Sequence, residues 1–349
     1  MGSLRMRNPY RGRCILEDID FVVTWVDGND PDWLREKRQW ADKDRQEANN
    51  VGRYRDWKLL RYWFRAVETY APWVHAVYLV TWGHVPAWLD RTCSKLRVVR
   101  HDEFIPAAYL PTFSSHPIEW NLHRLPGLSE HFVYFNDDTF LNAPVEPSLF
   151  FQHGLPCDFI QMNHIVFDKY RDKFNHLIAN NEAVINENFT RDDLLHHFSK
   201  VVNAAYPLED SLRNLMFLRH RYILNMKCAH LSISYRISDF ERVWSRISDI
   251  VEETCRQKFR NQNDVTPWLI RSWRLMEGRF FPVNRRHLGR AFFLNASEDL
   301  SPILKALRSP LKMVCINDGY LDEKTFLSCQ RSLTEELQTK LPDSGMFER

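Results

Sequence analysis

No run of roughly 18 apolar residues, the length a membrane-spanning helix needs, occurs in this 349-residue chain. Neither sign of charge is in excess. The 47 basic and 45 acidic side chains leave +2 at pH 7, which gives nucleic acid no electrostatic hold. CxxC pairs are missing as well. The seven cysteines (Cys14, Cys93, Cys157, Cys228, Cys255, Cys315 and Cys329) are scattered and odd in number. That pattern argues against a disulfide framework or a zinc cluster and fits a reducing compartment. Residues 1–9 lack the apolar centre of a signal peptide, and Met6 breaks the myristoylation pattern. The glycosylation sequons at Asn188 and Asn295 therefore carry no weight. These absences predict a soluble, cytoplasmic protein. Repeats, low-complexity tracts and obvious linkers are absent too.

What is present is apolar bulk: 44% hydrophobic and 13% aromatic residues, enough for a sizeable core. The chain centres on Phe132-Val133-Tyr134-Phe135-Asn136-Asp137-Asp138. An uncharged apolar run that stops at polar residues reads as a buried strand. In open α/β sheets ligands bind beyond the carboxyl ends of strands. Adjacent carboxylates there suit a hard divalent cation bridging to a phosphate, although Asp also simply opens turns.

Read in order, residues 19–26 form a first strand closed by Asp27-Gly28-Asn29-Asp30-Pro31. A polar helix covers about 32–50. Trp57, Leu60, Phe64 and Val67 recur at helical spacing. Residues 76–82 and 96–99 read as further strands, and 119–130 as a helix running into the Phe132 strand. This alternation predicts an α/β fold with a mostly parallel sheet. Residues 158–162 add a strand, and about 165–225 form a glycine-poor helical insertion. Helices follow at 239–260 and 265–276, then a late strand at 311–316 ending in Asn317-Asp318-Gly319. The expected organisation is an arm (1–17), one α/β domain (18–329) and a polar, frayed tail (330–349).

Three apolar strands thus end in acid-rich turns, and parallel strands would bring all three to one edge. The segment holding Glu119, Asn121, His123 and Arg124 is dense in proton-transfer and phosphate-binding groups, or is the polar face of an amphipathic helix. His230 reads equally as a base or a core histidine. Arg260 and Asp264 could be an i,i+4 ion pair. Trp25 and Trp82 could stack a base or pack the core.

Four blocks then carry a resemblance. They are residues 18–31; residues 55–57 through 71–74 to 125–138; Ala229-His230 with 258–264; and Val314-Cys315-Ile316-Asn317-Asp318-Gly319. In this order they resemble the Stealth proteins. These are hexose-1-phosphate transferases of bacterial capsule and surface polysaccharide synthesis, related to the animal GlcNAc-1-phosphotransferase. Where Asn121 stands the family pattern has His.

The resemblance implies a fold similar to GT-A glycosyltransferases and a Mg²⁺ or Mn²⁺ ion. It further implies a nucleotide-sugar donor such as UDP-GlcNAc and a glycan acceptor. UMP would leave and a phosphodiester would form, with the protein peripheral to a membrane polysaccharide assembly. On this expectation Asp137, Asp138 and Asp318 hold the cation. Thr24, Trp25, Asp27, Gly28, Arg124, Asn136 and Asn317 bind substrate, and Arg260 neutralises phosphate. His230, or else His123, is the base, oriented by Glu119 and Asp264. The rivals are a GT-A glycosyltransferase that releases UDP and a non-catalytic sugar-nucleotide or polysaccharide-binding protein.

Overall fold

The computed structural model describes residues 18–41, 54–167, 173–294, 299–319 and 321–349. The expected arm, and the end of the helix read at 32–50, lie outside these residues. The central sheet holds β1 (Ile19–Thr24), β2 (Val77–Thr81), β3 (Leu96–Arg100) and β4 (His131–Asn136). Only later does the chain add β6 (Ile233–Arg236), after β5 (Thr139–Leu141) has joined a second sheet. The order is β6-β4-β1-β2-β3, with β1 to β4 parallel and β6 antiparallel. Phe21, Val22, Val23, Val133 and Phe135 are buried, because helices cover both faces of the sheet. A continuous apolar run is what a strand buried on both faces requires.

The third acid-rich turn reaches this edge by another route. β7 (Gly289–Leu294) and β8 (Met313–Asp318) are parallel to each other, and β8 runs antiparallel to β5. The late strand is therefore not a parallel neighbour of β1 and β4, as the sequence suggested. The tight turn between β4 and β5 carries Asp137 and Asp138, so the antiparallel register still brings the carboxyl end of β8 beside them. The amide of Ile316 donates to the carbonyl of Asp138 at 2.8 Å.

The helices are α1 (Pro31–Ala41), α2 (Leu60–Tyr70), α3 (Ser115–Trp120), α4 (Lys173–Asn188), α5 (Leu208–Phe217), α6 (Ile237–Arg256), α7 (Trp268–Met276), α8 (Ser301–Leu307) and α9 (Glu323–Lys340). Two readings need correction. The helix expected over 119–130 is the short α3 followed by a 3-10 turn at Leu122–Arg124. The tail is not frayed: α9 buries Phe326, Leu333 and Leu337, and Glu348 accepts from the Arg65 guanidinium at 2.5 and 3.1 Å. Apolar residues seven and four apart place one stripe on the core while the polar remainder faces water. The insertion is helical in α4 and α5, with two short helices between them at Arg191–Leu195 and Phe198–Val201. Among the described residues no helix is long and apolar enough to cross a membrane, and the six described cysteines are free.

Candidate active site

At the β4–β5 turn, Asp138 is the centre of a polar cluster. Its Oδ1 accepts from the Thr139 hydroxyl at 3.0 Å, and its Oδ2 accepts from Asn317 Nδ2 at 2.9 Å. Asn317 Nδ2 also lies 3.4 Å from His230 Nε2, which is 3.9 Å from Asp138 Oδ2. Since an amide N–H can only donate, Nε2 presents its lone pair to Asn317 and the ring proton falls to Nδ1. His230 adopts φ +50°, a left-handed conformation that costs a non-glycine residue roughly 1–2 kcal/mol. Such strain persists where surrounding structure fixes it. The imidazole stands against Trp268 (5.7 Å between centroids) and the exposed Phe293 (5.6 Å).

Asp138, His230 and Cys315 are the one described group of three whose donor atoms lie within 4.8 Å of one another. Burial pushes the Cys315 thiol well above its usual range, with Asp138 adding to the effect. The sulfur therefore stays protonated and is no ligand for a hard cation. Asp137 occupies the exposed side of the turn. The packed turn around it, then Asp138, then Asp56, push its carboxyl up. Desolvation also raises Asp56, and Asp27 raises it further. Asp138 and Asp56 thus act on Asp137, and Asp27 acts on Asp56, a linked set of carboxylates in which Lys58 partly offsets Asp56. Such a set fits a hard divalent cation. Asp318 faces a cation already: its Oδ2 is 3.7 Å from Arg55 Nη1. The three expected ligands share an edge but do not make one tight cluster.

A second network lies at the ends of β1 and β4. Thr24 pairs with Asn136 in register. The Tyr134 hydroxyl donates to Asn136 Oδ1 at 2.8 Å and lies 3.0 Å from Thr24 Oγ1. Glu119, on α3, is buried beside Tyr134. Desolvation lifts its carboxyl to about 7 despite Ser115 and Arg260. Arg260 donates to the Ser115 hydroxyl at 2.8 Å. Asp264 is not the ion-pair partner of Arg260. Its Oδ2 faces His116 Nδ1 at 3.1 Å and accepts from the Asn261 amide at 2.9 Å.

Two expected site residues lie elsewhere. His123 stacks on Phe240 (5.3 Å), and Arg124 lies exposed over Trp244 (5.3 Å), both on α6. Phe240 in turn packs on Phe132, four residues or roughly 13 Å of strand before Asn136. Burial drives the His123 imidazole down to about 3, so it is a neutral core ring. Asn121 is buried and donates to the Pro117 carbonyl at 2.8 Å. The departure from the family pattern falls within the core, at the end of α3.

Trp25 is buried edge-on to His84, whose Nε2 accepts from the Asp27 amide at 2.8 Å. A Cβ on Gly28 would meet the Tyr54 carbonyl at 1.8 Å. The close approach this glycine permits is therefore to the chain's own backbone. Sequence reasoning gave no role to Arg55, Asp56, Tyr134, His84, Trp268 or Phe293. Arg55 and Asp56 were visible inside a quoted block, but only the folded chain shows what they face.

Stealth protein conserved region 1 matches residues 17–45, and conserved region 2 matches residues 53–158. The capsular polysaccharide phosphotransferase WcwK of Streptococcus pneumoniae is 38% identical over 96% of this chain and 99% of its own. The receptor polysaccharide phosphotransferase WefC of Streptococcus oralis is 37% identical, covering 95% and 100%. The exopolysaccharide phosphotransferase cps2G of Lactiplantibacillus plantarum is 39% identical, covering 95% and 96%. A solved galactosyltransferase, LgtC, overlays at TM-score 0.40 and 12% identity over 92% of this chain and 95% of that one. The family assignment does not rest on that overlay. With both conserved regions in place and relatives similar over nearly their whole length, this chain belongs to the Stealth family.

Proposed function

We infer that the protein is a polysaccharide phosphotransferase, as its full-length relatives are named, and that it moves a sugar-1-phosphate. The donor in this reading is a nucleotide sugar, UDP-GlcNAc or another UDP-hexose, and the acceptor is a glycan hydroxyl. The acceptor oxygen bonds to the sugar-bearing phosphorus, the bond between the two phosphates breaks, and UMP departs. The observation that carries the reading is the carboxylate chain at one strand edge, with the His230 lone pair beside it.

Asp138 and Asp137 are the residues to hold Mg²⁺ or Mn²⁺, with Asp56 and Asp318 at the same edge. Once bound, such a cation neutralises diphosphate charge. His230 Nε2, 3.9 Å from Asp138 Oδ2, accepts the acceptor's proton. Arg55 and Arg260 supply guanidinium charge for phosphate oxygens. Thr24, Asn136 and Asn317 offer polar groups to the donor, and Trp268 with Phe293 offers aromatic faces to a sugar ring. Free thiols and a nucleotide-activated donor fit a cytoplasmic site of action, peripheral to polysaccharide assembly at the membrane.

The test is product analysis. Purified protein with a panel of UDP-sugars, Mg²⁺ or Mn²⁺ and a glycan acceptor should release UMP. Release of UDP would instead mean glycosyl transfer, and binding without metal-dependent turnover would mean a sugar-nucleotide-binding protein. In the same assay His230→Gln should lose on the order of 10²-fold or more; activity within a few-fold of wild type would remove it as the base.

A further inference from the structure

The insertion shows solvent a surface that the site does not use. Seven of the thirteen exposed large hydrophobic side chains among the described residues fall between 195 and 222. Four of them form a stripe on α5: Leu208, Leu212, Leu215 and Met216 are 72%, 58%, 48% and 52% exposed. Their spacing of four, seven and eight residues places them on one helix face. Phe198 and Tyr222 are exposed nearby.

The opposite face of α5 buries Asp210, Ser211 and Asn214 beside Phe217. Asp210 accepts from Gln161 at 2.6 Å. Asn214 accepts from the Met162 amide at 2.9 Å and donates to the carbonyls of Ile160 and Val201 at 2.8 and 2.9 Å. These bonds fix the helix with its leucines outward. A contiguous exposed apolar patch of this kind marks an interaction surface.

The charge around the stripe selects the occupant. Beyond Arg213, which lies 3.9 Å from Asp210, the chain to residue 227 carries Arg219, Arg221 and Lys227 with no Asp or Glu. Glu209, the exposed acid on α5, is engaged by Arg286. A second copy of the chain docking about a two-fold axis would press these cations against their own counterparts. A convex helix face also offers no pocket to a small ligand. An apolar stripe roughly 12 Å long beside a basic rim has the chemistry of a helix lying in a lipid interface.

We propose that the α5 stripe seats the protein on an anionic phospholipid surface, its leucines at the acyl boundary and Arg219 and Arg221 among the headgroups. The proposal stands on surface chemistry and does not depend on the phosphotransfer reading. Its test is flotation of the full chain with vesicles. Protein should rise with equal parts phosphatidylglycerol and phosphatidylcholine, far less with phosphatidylcholine alone, and less again in high salt. Leu212→Glu with Leu215→Glu, and separately Arg219→Ser with Arg221→Ser, should each weaken binding roughly tenfold or more. Thermal midpoints should match wild type, since these side chains are exposed. Failure to float with anionic vesicles, or flotation unchanged in both variants, overturns the proposal. So would lipid-free sedimentation showing a dimer that Leu212→Glu with Leu215→Glu abolishes.

Discussion

Asp158 and the carboxylates around Asp138 are two acid-bearing regions of one α/β core, and they have opposite electrostatics. Asp158 is sealed between Arg271 (2.7 and 3.0 Å) and Arg274 (2.7 Å) and also accepts from the Phe159 amide at 2.8 Å. Burial raises this carboxyl, but the two guanidinium groups outweigh it and hold it below the usual range. Around the β4–β5 turn Asp138 and Asp56 act on Asp137, and Asp27 on Asp56, so Asp137 is pushed up instead. Among the described residues, Asp318, at the margin, is the one of these acids that faces an arginine within salt-bridge reach, Arg55. Exposure alone does not account for this contrast, since burial by itself would raise Asp158. The difference is whether the protein supplies the counter-charge itself or leaves it to a ligand.

Neutralising one acid from each region should have opposite consequences. Asp138→Asn keeps the shape of the turn but removes the charge that holds Asn317 and faces His230. Turnover, read as UMP release, should fall on the order of 10³-fold. Stability to urea should hold or rise, because a repulsion is relieved. Full turnover in this variant would remove Asp138 from the metal-binding set. Asp158→Asn should do the reverse. With Arg271 and Arg274 left buried against a neutral side chain, the urea midpoint should drop by the equivalent of about 3–5 kcal/mol. Substrate affinity of the remaining folded protein should change little. A loss of turnover without a loss of stability would mean that Asp158 belongs with the working acids.

How much of this was legible from the sequence depended on how local each signal is. The strand under the site was readable because residues 132–135 are apolar on both faces and stop at Asn136-Asp137-Asp138. The convergence of three acid-rich turns was also readable, but not its route, since antiparallel pairing of β8 with β5 leaves no mark on either segment. His123 and His230 look alike on paper. Only packing separates a ring stacked on Phe240 from one facing Asp138. α9 was obscured by its own polarity, its core contacts being single residues spaced among charges. Asp56 was out of reach because its effect on Asp137 arises from two turns meeting in space.

A smaller effect is expected from a third acid, Glu119, which is buried like Asp158 but raised like Asp137. Its carboxyl titrates near 7 in the fold, lifted chiefly by burial, against 4.5 for an ordinary glutamate. Between those values the folded state binds a proton that the unfolded state has released. Stability should therefore fall as pH rises from about 4.5 to about 7 and level off above. The total for this one group is on the order of 3 kcal/mol. Glu119→Gln keeps a neutral hydrogen-bonding side chain between Ser115 and Tyr134, so it should flatten that slope. It should exceed wild type in stability at pH 8 while matching it near pH 4.5. Urea unfolding of both proteins across this range reads the difference directly, and parallel curves would mean that Glu119 is already ionised within the fold. Arg260 would then be a full partner to it, and this acid would belong with Asp158, neutralised from within.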